Sequence, residues 1–87
     1  MSTTISIPAV TLNAFGALRD YPEHFENQSF LIQIKVNQKL VWYSVKVAES
    51  KVTEAIPEDE LNPHAMKDFL ESIHSNVIEV VNDTLKR

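Results

Sequence analysis

The side chains here that could do chemistry are three histidines, a scatter of serines, twelve carboxylates and one tryptophan set among lysines. A helical zinc site needs two histidines at i, i+4 on one face. His64 and His74 are ten residues apart, which on a helix places them about 15 Å apart and turns them about 80° from each other. His24 falls in a polar connection. His64 and Asp68 do stand at i, i+4, but an exposed pair of that kind contributes little. Ser29, Ser44, Ser50, Ser72 and Ser75 belong to no nucleophile elbow. The absence of cysteine excludes disulfides, zinc–thiolate centres and cysteine nucleophiles. A single glycine, Gly16, excludes glycine-rich phosphate loops. The residues therefore name no catalytic group, no cofactor and no metal ligand, and the expectation is a protein that is not an enzyme.

Recognition is the chemistry that remains, and three groups of residues could carry it. Trp42, with Lys35 and Lys46, is expected on a sheet face turned away from the core. There it is either a binding anchor or a ring lying on the sheet under a lysine stem. Glu49, Glu54, Glu58, Asp59 and Glu60 place five acids against one base, Lys51, with Asp20, Glu23 and Glu26 joining them if the loops meet. Glu58, Asp59 and Glu60 could dock on a basic partner, and the competing reading is a solvated loop. Ile78 and Val81 lie in a helix whose apolar residues cover about half its circumference, wider than the roughly 100° stripe of a surface helix. They could centre a homodimer, or the sheet and first helix could bury them.

The elements that must position these groups follow from hydrophobic period. Phe30, Ile32, Ile34 and Val36 alternate, as do Val41, Tyr43, Val45 and Val47. Turning the chain at Gln38–Lys39 pairs Val36 with Val41, Ile34 with Tyr43, Ile32 with Val45, Phe30 with Val47 and Lys35 with Trp42. Every apolar residue then meets an apolar partner across a hairpin with one buried face. Residues 51–56 predict a further strand after a tight turn at Glu49–Ser50. Its alternation sets Glu54 beside Val52 and Ile56, which suits an edge. Thr3–Ile7 is a short strand or a tail, with residues 1–4 frayed.

Pro8 opens a helix whose stripe is Val10, Ala14, Ala17, Leu18 and Tyr21, widened by Leu12 and Phe15. Gly16 allows close packing on the sheet, and Tyr21–Pro22 ends the helix. Asn62–Pro63 predicts a second helix over 63–85, capped by Asn62 and about 34 Å long. Its core stripe is Met66, Leu70, Ile73, Val77 and Val80, and Lys86 and Arg87 suit its C-terminal dipole.

A chain of 87 residues with 44% hydrophobic and 23% charged residues makes one globular domain, 1–87. No run approaches a membrane span, and the first residues do not have the pattern of a signal peptide. The net charge of −4 disfavours nonspecific attraction to nucleic acid or anionic lipid. The lack of cysteine in so small a chain suits a cytoplasmic home. The expected fold is α+β: a three-stranded antiparallel sheet, with a fourth short N-terminal strand as an option, and two helices on one face.

The order α-β-β-β-α over about residues 8–85 resembles that of the double-stranded-RNA-binding domain. That family grips phosphates with a lysine-rich start to its second helix. Here Asn62-Pro63-His64-Ala65-Met66-Lys67 holds one lysine and directly follows Glu58-Asp59-Glu60-Leu61. The resemblance is one of element order, and no RNA-binding residue carries over. The functional expectation is a small non-enzymatic protein-binding module, an inhibitor or regulator of a larger protein or nucleoprotein complex such as an accessory protein of a mobile element. The alternatives are a nucleic-acid platform on the open sheet face, using Lys35, Trp42, Lys46 and Lys39, and a structural homodimer through the C-terminal helix.

Overall fold

Alternation over residues 29–48 builds the two central strands, β2 (Ser29–Val36) and β3 (Lys39–Ala48). The computed structural model describes residues 3–86. A two-residue strand β1 (Ile5–Ser6) and a third long strand β4 (Lys51–Pro57) complete one antiparallel sheet in the order β1-β2-β3-β4. Three α-helices accompany it: α1 (Ala9–Asp20), α2 (Lys67–Ser72) and α3 (His74–Leu85). The α+β class is as expected, and the optional fourth strand is present. Met1, Ser2 and Arg87 lie outside the described residues. Of the terminal residues expected to fray, Thr4 is tied down: its N–H donates to Asn37 Oδ1 at 2.9 Å and its carbonyl accepts from Asn37 N–H at 2.8 Å.

The hairpin keeps the expected faces but not the expected pairs. Val36 lies opposite Lys39, Ile34 opposite Val41, Ile32 opposite Tyr43 and Phe30 opposite Val45. The turn is Asn37–Gln38, with φ of 49° and 71°, the left-handed pair that a two-residue hairpin turn requires. This is a slip of two residues from the sequence reading. An even slip leaves every side chain on its own face, so the apolar pattern does not oppose it. Asparagine, which tolerates the left-handed region, decides it. Trp42 consequently lies opposite Gln33 and not Lys35.

β4 departs from simple alternation. Lys46 pairs with Glu54 but Val47 pairs with Val52, so Thr53 is an extra residue, a β-bulge. The bulge changes the phase: Val52, Ala55 and Pro57 face inward, while Glu54 and Ile56 face outward. Ile56 was expected to share a face with Val52 and instead is 58% exposed. The tight turn at Glu49–Ser50 is as predicted, with φ of 56° and 65°.

The first helix buries a different stripe from the one expected. Thr11, Phe15 and Leu18 are buried at i, i+4, i+7, whereas Val10 and Tyr21 are exposed. The helix sits at the margin of β2, where Thr11 Oγ1 donates to the Gln33 carbonyl at 2.6 Å. Gly16 makes no close approach, since a Cβ there would meet nothing within 4 Å.

The expected single helix over 63–85 is broken. A short 3-10 turn (His64–Met66) leads into α2, and Ile73, at φ −103° and ψ 10°, separates α2 from α3. Around the break, the carbonyls of three successive residues each accept from a side chain. Ser72 Oγ donates to Phe69 O at 2.6 Å, Tyr43 Oη to Leu70 O at 2.6 Å, and His74 Nδ1 to Glu71 O at 2.8 Å. A carbonyl only accepts, so His74 carries its proton on Nδ1. The cation at the end of α3 comes from α1: Arg19 donates from Nε to Leu85 O at 3.2 Å and from Nη2 to Thr84 O at 3.0 Å.

The core is one layer between sheet and helices. It joins Ile32, Ile34, Val36, Val41, Tyr43, Val45, Val47, Val52 and Ala55 to Phe15, Leu18, Leu70, Ile73, Val77 and Val81. Tyr43 is fully buried, and burial pushes its hydroxyl up to about 12. No buried side-chain nitrogen or oxygen among the described residues lacks a partner.

Candidate functional site

Among the described residues the helices cover one face of the sheet and no element covers the other, as an antiparallel sheet permits. The outward residues are ordered by the ladder. Lys35 lies beside Leu40, Gln33 beside Trp42, and Ser29 beside Lys46 and Glu54. Between the last two rows, Leu31, Ser44 and Ile56 run across three strands. Leu31, Leu40 and Ile56 are exposed and Trp42 is half-buried, so four large apolar side chains share this face. A shallow groove continues the patch onto α1, lined by Val10, Thr11, Ala14, Leu31, Gln33 and Trp42.

Both margins of this face are partly occupied. On the β2 side, β1 pairs with Lys35 and Val36 and Thr11 Oγ1 takes the Gln33 carbonyl. On the other side, two asparagines imitate a neighbouring strand. Asn82 of α3 accepts from Val52 N–H at 2.8 Å and donates to Val52 O at 2.9 Å. Asn62 does the same to Trp42, accepting at 2.8 Å and donating at 2.8 Å, where β4 has already ended. Asn62 was expected to cap the second helix. Its amide serves β3 instead, and Pro63, which precedes the 3-10 turn, has no side-chain cap. The clamp also fixes the Trp42 backbone, while the indole stays on the outer face.

The residues singled out from sequence fall in three separate places. Trp42, Lys35 and Lys46 share the open face. Ile78 and Val81 lie in the helical layer on the far side. Val81 is fully buried and Ile78 is half-buried against the core. Glu58, Asp59 and Glu60 follow the end of β4 and Glu49 lies in the turn before it, so the length of β4, about 20 Å at strand spacing, separates them. The acidic stretch is therefore not one surface. Glu26 does meet Glu49, accepting from its N–H at 3.1 Å, and Asp59 pairs with Lys67 at 3.5 Å in the open.

Sequence reading missed Leu40 and Ile56 as members of the open face. Leu40 has the parity of Trp42 but lies next to the turn expected at Gln38–Lys39, and Ile56 is expected on the side of Val52 in an unbulged strand. His64 and Asp68 form no ion pair among the described residues, because His64 belongs to the 3-10 turn and Asp68 to α2. Among the described residues no group of three or more histidines or carboxylates could hold a metal ion. No helix among them is long and apolar enough to cross a membrane.

No protein-family model matches this chain, and neither the curated proteins nor the solved structures contain a match to it.

Proposed function

We propose that this chain is a small non-enzymatic protein-binding module that inhibits or regulates a larger assembly by docking through its open sheet face. The observation that carries the reading is the clustering of Leu31, Leu40, Trp42 and Ile56 on a face that no element among the described residues covers. Tryptophan held on a rigid strand is a favoured anchor of protein interfaces. Apolar side chains gathered on one face mark binding surfaces more often than scattered ones do. The cysteine-free composition fits work in a reducing, cytoplasmic setting.

The test is capture from lysate of the source cell, run in parallel with three forms of the protein. The unchanged chain should retain a partner in defined stoichiometry. Trp42→Ala combined with Ile56→Lys should lose it, while Glu79→Lys on the helical layer should keep it. A partner retained by the sheet variant and lost by the helix variant would move the interface to the helices and overturn the reading.

A further inference from the structure

We propose that the occupant of the open face is an acidic amphipathic α-helix of a partner protein, its apolar stripe on Leu31, Leu40, Trp42 and Ile56 and its carboxylates against Lys35 and Lys46. This rests on the docking reading above and adds the shape and charge of what docks.

Shape follows from the placement of the patch. Leu31, Leu40, Trp42 and Ile56 project from the face, so an occupant that touches all four lies across the strands rather than along an edge. Edge pairing, which needs a row of free N–H and C=O groups, is restricted besides: β1 takes Lys35 and Val36, Thr11 takes the Gln33 carbonyl, Asn82 holds Val52, and Pro57 has no N–H to offer. Three strands about 4.8 Å apart span about 10 Å between outer axes, which matches the 10–12 Å diameter of one helix.

Charge selects the kind of helix. The chain carries −4 overall, yet Lys35, Lys46 and Lys51 share the open face by register, while Lys39, opposite Val36, belongs to the other face. Glu54, directly across from Lys46, is the one acid within the three long strands. Lys35 sits beside Leu40, six positions from Lys46 along β3. That separation is about 20 Å, and about thirteen helical residues would span it. The apolar patch lies between the two lysines.

Two other occupants fit less well. The acids of α2 and α3 in a second copy could meet these lysines, but only head to tail, and such contacts propagate into filaments unless they close a ring. A nucleic-acid strand would meet Glu49 at one end of the sheet and Glu58, Asp59 and Glu60 at the other, which repel phosphate. A helix can set its carboxylates at two points and avoid them.

The test titrates isotope-labelled protein at low salt with three probes. The first is an 18-residue amphipathic peptide with a leucine stripe flanked by glutamates. The second has the same stripe flanked by lysines, and the third is oligothymidylate. The expected result is binding of the glutamate peptide at least tenfold tighter than the lysine peptide, with amide shifts centred on Leu31, Leu40, Trp42 and Ile56. In the double variant Lys35→Glu, Lys46→Glu, the preference should reverse. Both substitutions are on the solvent side, and the comparison of peptides on the unchanged protein stands without them. Equal binding of both peptides on this face would overturn the acidic assignment and leave the docking face intact. Tighter binding of oligothymidylate would put nucleic acid in its place. Shifts confined to the helical layer, or no binding by any probe, would overturn the proposal.

Discussion

Tyr43 and Trp42 are neighbours on one strand, and they meet opposite environments. Tyr43 points into the layer between sheet and helices, where it is fully buried and its hydroxyl holds the Leu70 carbonyl at the break between α2 and α3. Trp42 points out onto the open face, its backbone clamped by Asn62 and its ring half-exposed. The inner face gives nine residues to the core, and the outer face carries four large apolar side chains. The two faces also differ in whether another element among the described residues is there to cover them. The inner face therefore carries the stability, and the outer face is free to be selected for contact with something else.

Four measurements would break or sharpen that contrast. The largest effect is expected on the inner face: Leu70→Ala should cost about 2–5 kcal/mol in denaturant unfolding, because a fully buried leucine leaves a cavity. A cost below about 1 kcal/mol would mean that the helical layer packs loosely on the sheet.

Alkaline unfolding comes next. The Tyr43 hydroxyl is raised from 10 to about 12 in the folded chain, so between those values the unfolded chain has lost a proton that the folded chain keeps. Stability from this group is complete below pH 10 and falls as pH rises through 12, by up to about 3 kcal/mol. Tyr43→Phe should remove this component of the alkaline slope. At neutral pH it should cost about 1–3 kcal/mol, since Leu70 O loses its donor. An alkaline slope identical in both proteins would refute the buried phenol.

The third measurement concerns the margin between the faces. Asn82→Ala leaves the N–H and C=O of Val52 unpaired on an edge strand. It should cost about 1–3 kcal/mol and speed hydrogen exchange at the Val52 amide. Unchanged exchange there would mean that the clamp is not formed in solution. The smallest effect belongs to the open face: Ile56→Ser should move stability by no more than about 0.5 kcal/mol, as for other surface positions. A loss comparable to that of Leu70→Ala would show that this face is buried by self-association, and light scattering would then report a larger mass.

Much of the inner face was legible in the residues. Period-two alternation assigns Ile32, Ile34, Tyr43, Val45 and Val47 to one side, and the structure buries all of them. The helix stop before Pro22 and the tight turn at Glu49–Ser50 were equally readable, because proline and short loops act locally. The candidate site was readable in part. Trp42, Lys35, Lys46 and Leu40 share a face by parity alone, but the Lys35–Leu40 pairing needed the true register and Ile56 needed the bulge.

What the chain determines by itself is therefore what depends on neighbours in sequence: the α+β class, which residues of each central strand face inward, and where α1 stops. What tertiary structure decided are the choices to which local pattern is indifferent. A slip of two residues keeps every face, so turn geometry at Asn37–Gln38 chose the hairpin register. Unbroken helical periodicity runs through Ile73, yet the chain bends there, and a tyrosine 27 residues away satisfies the carbonyl of Leu70. Asparagine can cap a helix or imitate a strand, and the unpaired Trp42 backbone, 20 residues away, claimed Asn62. Arg19 reaches the end of α3 from 65 residues away. Each of these is a contact between groups distant in sequence, and such contacts exist only once the layers have packed.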